Sequence, residues 1–320
     1  MENGQVEIST CPFFAMSVYR DKRKVKSSKF KQSESILLVL FLLPTFFFIV
    51  IAQFYPLLYS VYISFTKWSL VKWKPIGFIG LFNYQQVLQD TLFKHAAKIS
   101  LLFACIATPV ELIIGFLLAY MVIGERKIIR ITRSILIIPM TIAPVAVGTM
   151  WRMLLNTRAG LVNYLLQGIG ITGPNWLATP LTAFLSILMV DIWQWTPFAM
   201  IIFVAALSSL PPDLFSAAQI DGASRWQILR YIISPLIAPI TILVILFRFI
   251  DSILVIDIIY TTTYGGPGFS TNVITFHIYK QALKYFNVTY AAAASWILQI
   301  FCLSVAIVLL AYSGKLQEKF

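Results

Sequence analysis

Apolar residues in this chain run in long, uninterrupted stretches instead of alternating at strand or amphipathic-helix spacing. From Ser35 to Thr66 there are 32 residues without a charge, and the apolar side chains are densest between Ile36 and Phe54. A helix needs roughly 20 residues to cross a bilayer, so this stretch predicts a first membrane helix that tolerates Pro44 as a kink. Five more apolar stretches predict helices over about Ile99–Ile123, Ser134–Leu155, Leu181–Leu207, Pro235–Ile259 and Ala291–Tyr312. The expected fold class is all-α: a polytopic membrane protein of about six transmembrane helices over residues 35–312.

Composition sharpens this picture. Of 320 residues, 59% are hydrophobic and only 12% charged, with a mean hydropathy of +0.82. Soluble chains carry about 25% charged residues. The same figures exclude a disordered chain, a disulfide-stapled module and a coiled coil. The 25 basic and 13 acidic residues give +12, which in a soluble protein would suggest nucleic acid. Here the basic residues sit beside and between the apolar stretches, where topology explains them. The segments on the side of the termini (the tail to Ser35, Gly124–Arg133, Ser209–Ser234 and the C-terminal end) hold 15 basic residues. Those on the other side (Lys67–Lys98, Asn156–Pro180 and Thr261–Asn287) hold 8. That bias predicts cytoplasmic tails at 1–34 and 313–320 in a bacterial inner membrane. The basic run from Arg20 to Lys31 is read as a stop on translocation in preference to an RNA contact, and no cleavable signal pattern precedes it. Cys11, Cys105 and Cys302 form no disulfide or metal spacing, and His95 and His277 stand alone.

Two segments on the outer side, Gly80–Leu88 and Gly160–Leu166, each read as a turn feeding a short helix. They are equally readable as interfacial helices with aromatic anchors. The segment with the most information lies between the fourth and fifth apolar stretches, over residues 209–234. Pro211 and Pro212 suit a helix start, Gly222 a left-handed stop and Ser224 the cap of a second helix leading into the membrane. Ala217, Ala218, Gly222 and Ala223 are small and let another surface come close; Leu214, Phe215 and Ile220 are apolar beside them. Such a helix fits a groove on a partner protein or packs back on its own spans.

At these residues the chain resembles the permease subunits of binding-protein-dependent ABC importers. The likeness is to the carbohydrate branch, with the maltose, glycerol-phosphate and alginate-oligosaccharide types. The family's cytoplasmic signature is Glu-Ala-Ala, three residues, then Gly, with a hydrophobic position and Leu-Pro about a dozen residues on. Here it stands as Ser216-Ala217-Ala218-Gln219-Ile220-Asp221-Gly222-Ala223, with Ile232 and then Ser234-Pro235. Gly80–Tyr84, Arg248–Asp251, Asp257–Tyr260 and Gly265–Pro267 extend the resemblance, which covers about Ile36 to Tyr312. It implies two cytoplasmic ATPase subunits that bind ATP and Mg, a second permease subunit, an extracytoplasmic solute-binding protein and a sugar or oligosaccharide as cargo. Ser216 replaces the family glutamate that contacts the ATPase, and Ser234 its leucine. An unequal permease pair, in which the other subunit keeps the acidic residue, would account for Ser216.

The chain holds no Gly-x-x-x-x-Gly-Lys-Ser/Thr phosphate loop, so the expectation is a transport subunit that is not an enzyme and binds no cofactor itself. Charge within the membrane costs about 2.5–3.5 kcal/mol on insertion scales, so every intramembrane ionisable residue needs a partner or water. Arg248 and Asp251, three apart, can pair or line a pathway. Glu111 and Asp191 have no local basic neighbour and are expected to face the bundle interior. Asp191, Trp195 and Phe198 share a helix face, a surface for stacking a sugar or for aromatic packing; Trp193 points elsewhere. The outer lysines Lys67, Lys72, Lys74, Lys94 and Lys98 suit an anionic saccharide such as a uronate oligomer, or snorkel at the interface. An ion-driven secondary transporter would show duplicated halves, and an intramembrane enzyme a nucleophile–base set; neither pattern stands out.

Overall fold

The computed structural model describes residues 40–68, 75–124 and 126–317. The basic tail, Cys11, Lys72 and Lys74 lie outside the described residues. The chain divides into two compact units, Met1–Leu58 and Tyr59–Phe320. In the first, Leu40–Leu58 is helical and its apolar side chains are exposed. The helix, α1 (Leu40–Ser64), continues into the second unit. Its turn over Val50–Phe54 is a wider π turn, closed by Tyr55 N–H to the Val50 carbonyl. Pro56 follows at once; it has no N–H for the preceding turn, and the extra residue absorbs the misfit.

In the second unit a two-stranded hairpin, β1 (Thr66–Trp68) and β2 (Pro75–Phe78), precedes α2 (Phe82–Gln89). Buried Asn83 ties them together, its amide donating to the carbonyls of Ser64 and Thr66 at 2.8 and 2.9 Å. Asp90 then caps α3 (Thr91–Met121) by accepting from Leu92 N–H. At 31 residues this helix is about 46 Å long. It starts at Thr91 and not near Ile99 as expected, because the cap outweighs the polar residues of the first turns.

The expected third span, Ser134–Leu155, is not one straight helix. The chain forms α4 (Lys127–Thr141) and α5 (Pro144–Leu154), set at 93° to each other. Ile142 and Ala143 are extended, the conformation that proline imposes on the residue before it. The bend frees a carbonyl, and Gln194 on α7 (Pro180–Ser208) donates to it, Nε2 to Ile142 O at 3.0 Å. Gln194 is fully buried, so this bond closes the bend where lipid offers no partner. Between α5 and α7 lies α6 (Leu161–Gly168), held by buried Asn163, which accepts from Trp176 Nε1 at 2.7 Å and donates to Thr157 O at 3.2 Å.

After α7 come α8 (Pro212–Ile220), α9 (Arg225–Ile228), a π turn (Leu229–Ile233) and α10 (Ser234–Ile253). The expected fifth span, Pro235–Ile259, breaks after Ile253; the chain resumes as α11 (Asp257–Thr262) and α12 (Ile274–Tyr279). The last helix, α13 (Val288–Gln317), covers the expected sixth span. Tyr290 on it donates to Asp90 Oδ2 at 2.5 Å and lies 3.4 Å from His277 on α12, joining the starts of α3 and α13. Burial holds the His277 imidazole below its usual value.

Among the described residues, α1, α3, α7 and α13 are long and apolar enough to cross a membrane, and the bent pair α4–α5 makes five. At the fifth expected position α10 has 20 residues, about 30 Å. The helical membrane architecture is therefore as expected, with the hairpin its only sheet among the described residues.

Helices α3 and α7 are packed closely at Gly115, where an added Cβ would stand 2.7 Å from Ala199 Cβ and 3.0 Å from Met200 N. Replacing Gly115 by valine forces the pair apart. The expected cost is about 1–3 kcal/mol, read as a lower thermal midpoint of the purified protein. Gln194→Leu leaves the Ile142 carbonyl without its donor and is expected to cost about 1–3 kcal/mol in the same measurement.

Candidate functional site

Three helices bring the intramembrane charges to one point. Arg248 on α10 presents its planar fork to Glu111 on α3, with Nε to Oε2 at 2.5 Å and Nη2 to Oε1 at 2.8 Å. Its Nη1 donates to Asp251 Oδ2 at 2.6 Å, one turn further along α10. Nη2 also reaches Asp191 on α7 and Ser252, both at 3.3 Å. The Arg248 side chain is 2% exposed, and Glu111 and Asp191 are buried with it. A lone guanidinium matches a carboxylate in two parallel bonds as no ammonium can, which is why arginine can join three helices here. The Arg248 carbon Cζ also sits 5.1 Å from the Trp195 ring centre.

The expected pairing of Arg248 with Asp251 is thus present, and Glu111 and Asp191 do face the interior. That both share the same arginine follows from tertiary packing alone. Asp251 differs from the rest, since its side chain is 55% exposed. It lines a cavity of about 70 Å³ together with Asp191, Trp195, Pro144, Asp257 and Ile258. Trp195 and Phe198 are half-buried; Phe198 packs edge-on to Phe247 with centroids 6.4 Å apart, so it serves the aromatic packing reading. Trp193 turns away and packs on Trp151. Asp257, which lines the cavity, and Ser252, which accepts from Arg248, are site residues that the apolar pattern did not single out. The aspartate at the first position of a new helix was the available signal for Asp257.

On the opposite end of α10, the 209–234 segment has the caps its residues predict. Pro211 caps α8 and Pro212 begins it. Gly222 has φ +76°, and Ala223 N–H bonds to Ala218 O at 2.9 Å and Gly222 N–H to Gln219 O at 3.1 Å, a paired closure of the helix end. Ser224 and Gln227 then cap each other's backbone in a reciprocal box. Pro235 stands two residues past the π turn, the same spacing as Pro56 in α1.

The faces of α8 divide between the two readings. Ala218 is buried in, and half-buried Phe215 and Ala223 pack against, the apolar core of α3, α7 and α10. Leu214, Ser216, Ala217 and Asp221 are exposed, as is Gly222, and Ile220 is 87% exposed. Ser216 Oγ donates within the helix to Pro212 O at 3.3 Å. Among the described residues no group of His, Cys, Asp and Glu is arranged to hold a metal ion.

A family model for the binding-protein-dependent transport system inner membrane component matches residues 111–319. The chain belongs to this family. A probable ABC transporter permease protein of Sinorhizobium fredii is 35% identical over 298 residues, 93% of each chain. The trehalose/maltose transport system permease protein MalF of Thermococcus litoralis is 33% identical over 82% of this permease and 87% of its own length. The crystal structure of a bacterial ABC transporter involved in the import of the acidic polysaccharide alginate contains a chain of the same fold. Its TM-score is 0.76 at 23% identity, covering 89% of this permease and 97% of that chain. As a permease subunit the chain is not itself an enzyme.

Replacing Arg248 by methionine strands two buried carboxylates. The expected loss is about 3–5 kcal/mol, measured as a fall in thermal midpoint and in the amount of protein inserted in the membrane. Arg248→Lys keeps the charge but not the fork, and its loss should be smaller than that of the methionine variant.

Proposed function

We propose that this permease is the transmembrane subunit of an ATP-driven importer that carries a sugar or oligosaccharide handed over by an extracytoplasmic solute-binding protein. It works beside a second permease subunit and two cytoplasmic ATPase subunits, which hold ATP and Mg. The tails at 1–34 and 313–320 and the 209–234 segment face the cytoplasm.

The observation that carries this reading is α8, a capped helix with an exposed apolar edge at Leu214 and Ile220 beside Gly222. A rigid, short element with one face on the core and one face open suits a socket on another protein. Its anchored face gives a push on α8 a direct route to α3, α7 and α10, so closure of the ATPase pair moves the spans as bodies. With Ser216 bonded inside its own helix, apolar contact and shape carry the docking on this half of the complex. The pathway reading of Asp251 and Trp195 has separate support. A half-exposed carboxylate on a membrane helix belongs against water or a partner subunit, because lipid cannot solvate it.

Gly222 tests the lever. Nothing lies within 4 Å of the position of an added Cβ there, and asparagine tolerates positive φ better than other side chains. Gly222→Asn therefore keeps the turn and adds bulk only toward a partner. In proteoliposomes with the ATPase subunits and binding protein, this variant is expected to cut ATP-driven uptake about tenfold or more while the protein remains folded. Uptake at the level of the unaltered protein, or uptake with no ATPase subunit present, would refute the reading.

A further inference from the structure

We propose that the groove between α3 and α10 holds an anionic phospholipid of the cytoplasmic leaflet, with the lipid phosphate on Arg230 and an acyl chain lying along the two helices. The site is separate from the cavity at Asp251, since the two share no lining residue. The importer reading supplies only the leaflet; the site itself stands on the groove.

The groove has a volume of about 840 Å³. Leu112 and Phe116 belong to its α3 wall, and Ile237, Thr241 and Ile245 to its α10 wall. The three on α10 recur every four residues and follow one face of the helix. Thr241 donates its hydroxyl to the Ile237 carbonyl at 3.0 Å, so it does not call for a polar ligand. From Arg230 to Ile245 the groove runs about 22 Å, against roughly 15 Å for one leaflet of the hydrocarbon core. An acyl chain entering at Arg230 fits along it to its end, and apolar walls favour hydrocarbon over water.

The mouth has a different chemistry. Trp226 and Arg230 line the groove where α9 passes into the π turn. Trp226 is 65% exposed, and an indole at the end of a membrane helix sits at headgroup depth. Arg230 is exposed as well and makes no hydrogen bond or ion pair among the described residues. Arg133, Arg152 and Arg248 are all bonded, to the Val122 carbonyl, the Thr261 carbonyl and Glu111. No acidic side chain lines the groove. Between Ser224 and Ile250 the chain carries Arg225, Arg230 and Arg248 and no acidic residue.

A phosphate diester offers a guanidinium two oxygens at once. Basic pockets between membrane helices on the cytoplasmic side favour anionic head groups. A phospholipid brings the anion to the mouth and hydrocarbon to the walls in one molecule. An apolar helix of another subunit would cover the walls but leave the Arg230 charge without a partner.

The test uses the whole complex, permease pair and ATPase subunits, stripped of loosely held lipid and measured by native mass spectrometry. Phosphatidylglycerol and phosphatidylcholine with the same acyl chains are titrated in. The first phosphatidylglycerol is expected to bind at least about fivefold more tightly, the worth of one cation beside an anionic head group. Arg230→Gln is expected to lower phosphatidylglycerol affinity about fivefold and leave phosphatidylcholine unchanged, whereas Arg230→Lys keeps most of the preference. A phosphatidylglycerol with a photoreactive group near the end of one acyl chain is expected to label α3 between Ala104 and Leu117 and α10 between Ser234 and Ile245. That labelling is done on the unaltered chain and so does not depend on how a variant folds. Equal affinity for the two lipids, an Arg230→Gln complex that binds phosphatidylglycerol as the unaltered one does, or label on neither helix overturns the inference. Ile113 lines the groove and is 60% exposed; a photoreactive residue there that couples to the second permease subunit instead of lipid overturns it too. None of these outcomes touches the importer reading, which uptake decides.

Discussion

A bilayer gives no hydrogen bonds, so each polar group inside it must find its partner within the protein. The Arg248 fork is where that constraint acts hardest, because one side chain satisfies Glu111 from α3, Asp191 from α7 and Asp251 from its own helix. No two of these helices can slide independently without stranding a charge. The same requirement explains the Gln194 Nε2 donor at the α4–α5 bend, where the backbone leaves the helix and a side chain of α7 takes its freed carbonyl. Close packing then does what polarity leaves undone: Gly115 lets α3 and α7 approach within side-chain contact.

This arrangement separates two ends of α10. At one end the π turn and Pro235 connect it to α8 and α9, whose apolar inner faces join the core. At the other, the helix stops at Ile253 beside an open carboxylate and an aromatic ring. Movement applied to α8 is therefore delivered to the helix that carries Arg248 and Asp251. The ion cluster holds that helix to α3 and α7, which favours displacement of the three as a group over bending of one.

What could be read beforehand follows from how local each interaction is. The helix start at Pro212, the stop at Gly222 and the cap at Ser224 in the 209–234 segment were legible, since they act within a few residues, whereas the π turn at Leu229–Ile233 was not. The starts of α2 and α6 were legible too, but not the buried roles of Asn83 and Asn163, which bond across turns. Arg248 and Asp251 read as a pair from their spacing; Glu111 and Asp191 read only as charges in want of a partner. The bend at Ile142–Ala143 was hidden inside an apolar stretch, although Pro139 and Pro144 marked it. The break after Ile253 falls in Leu254-Val255-Ile256, which carries no breaking residue.

The π turn at Leu229–Ile233 has a further consequence for the geometry of α10. Ser234 N–H reaches back five residues to Leu229, one more than regular winding would take. Each residue of ordinary winding turns a helix by about 100°, and the π turn turns less per residue, so the extra residue is taken up within it. The wider turn spreads about one revolution over an extra residue, so deleting one residue there would restore ordinary winding and leave Arg248 close to its present phase against Glu111. Beyond Ser234 the winding is regular, and one residue added or removed there would turn Arg248 by about 100° away from Glu111.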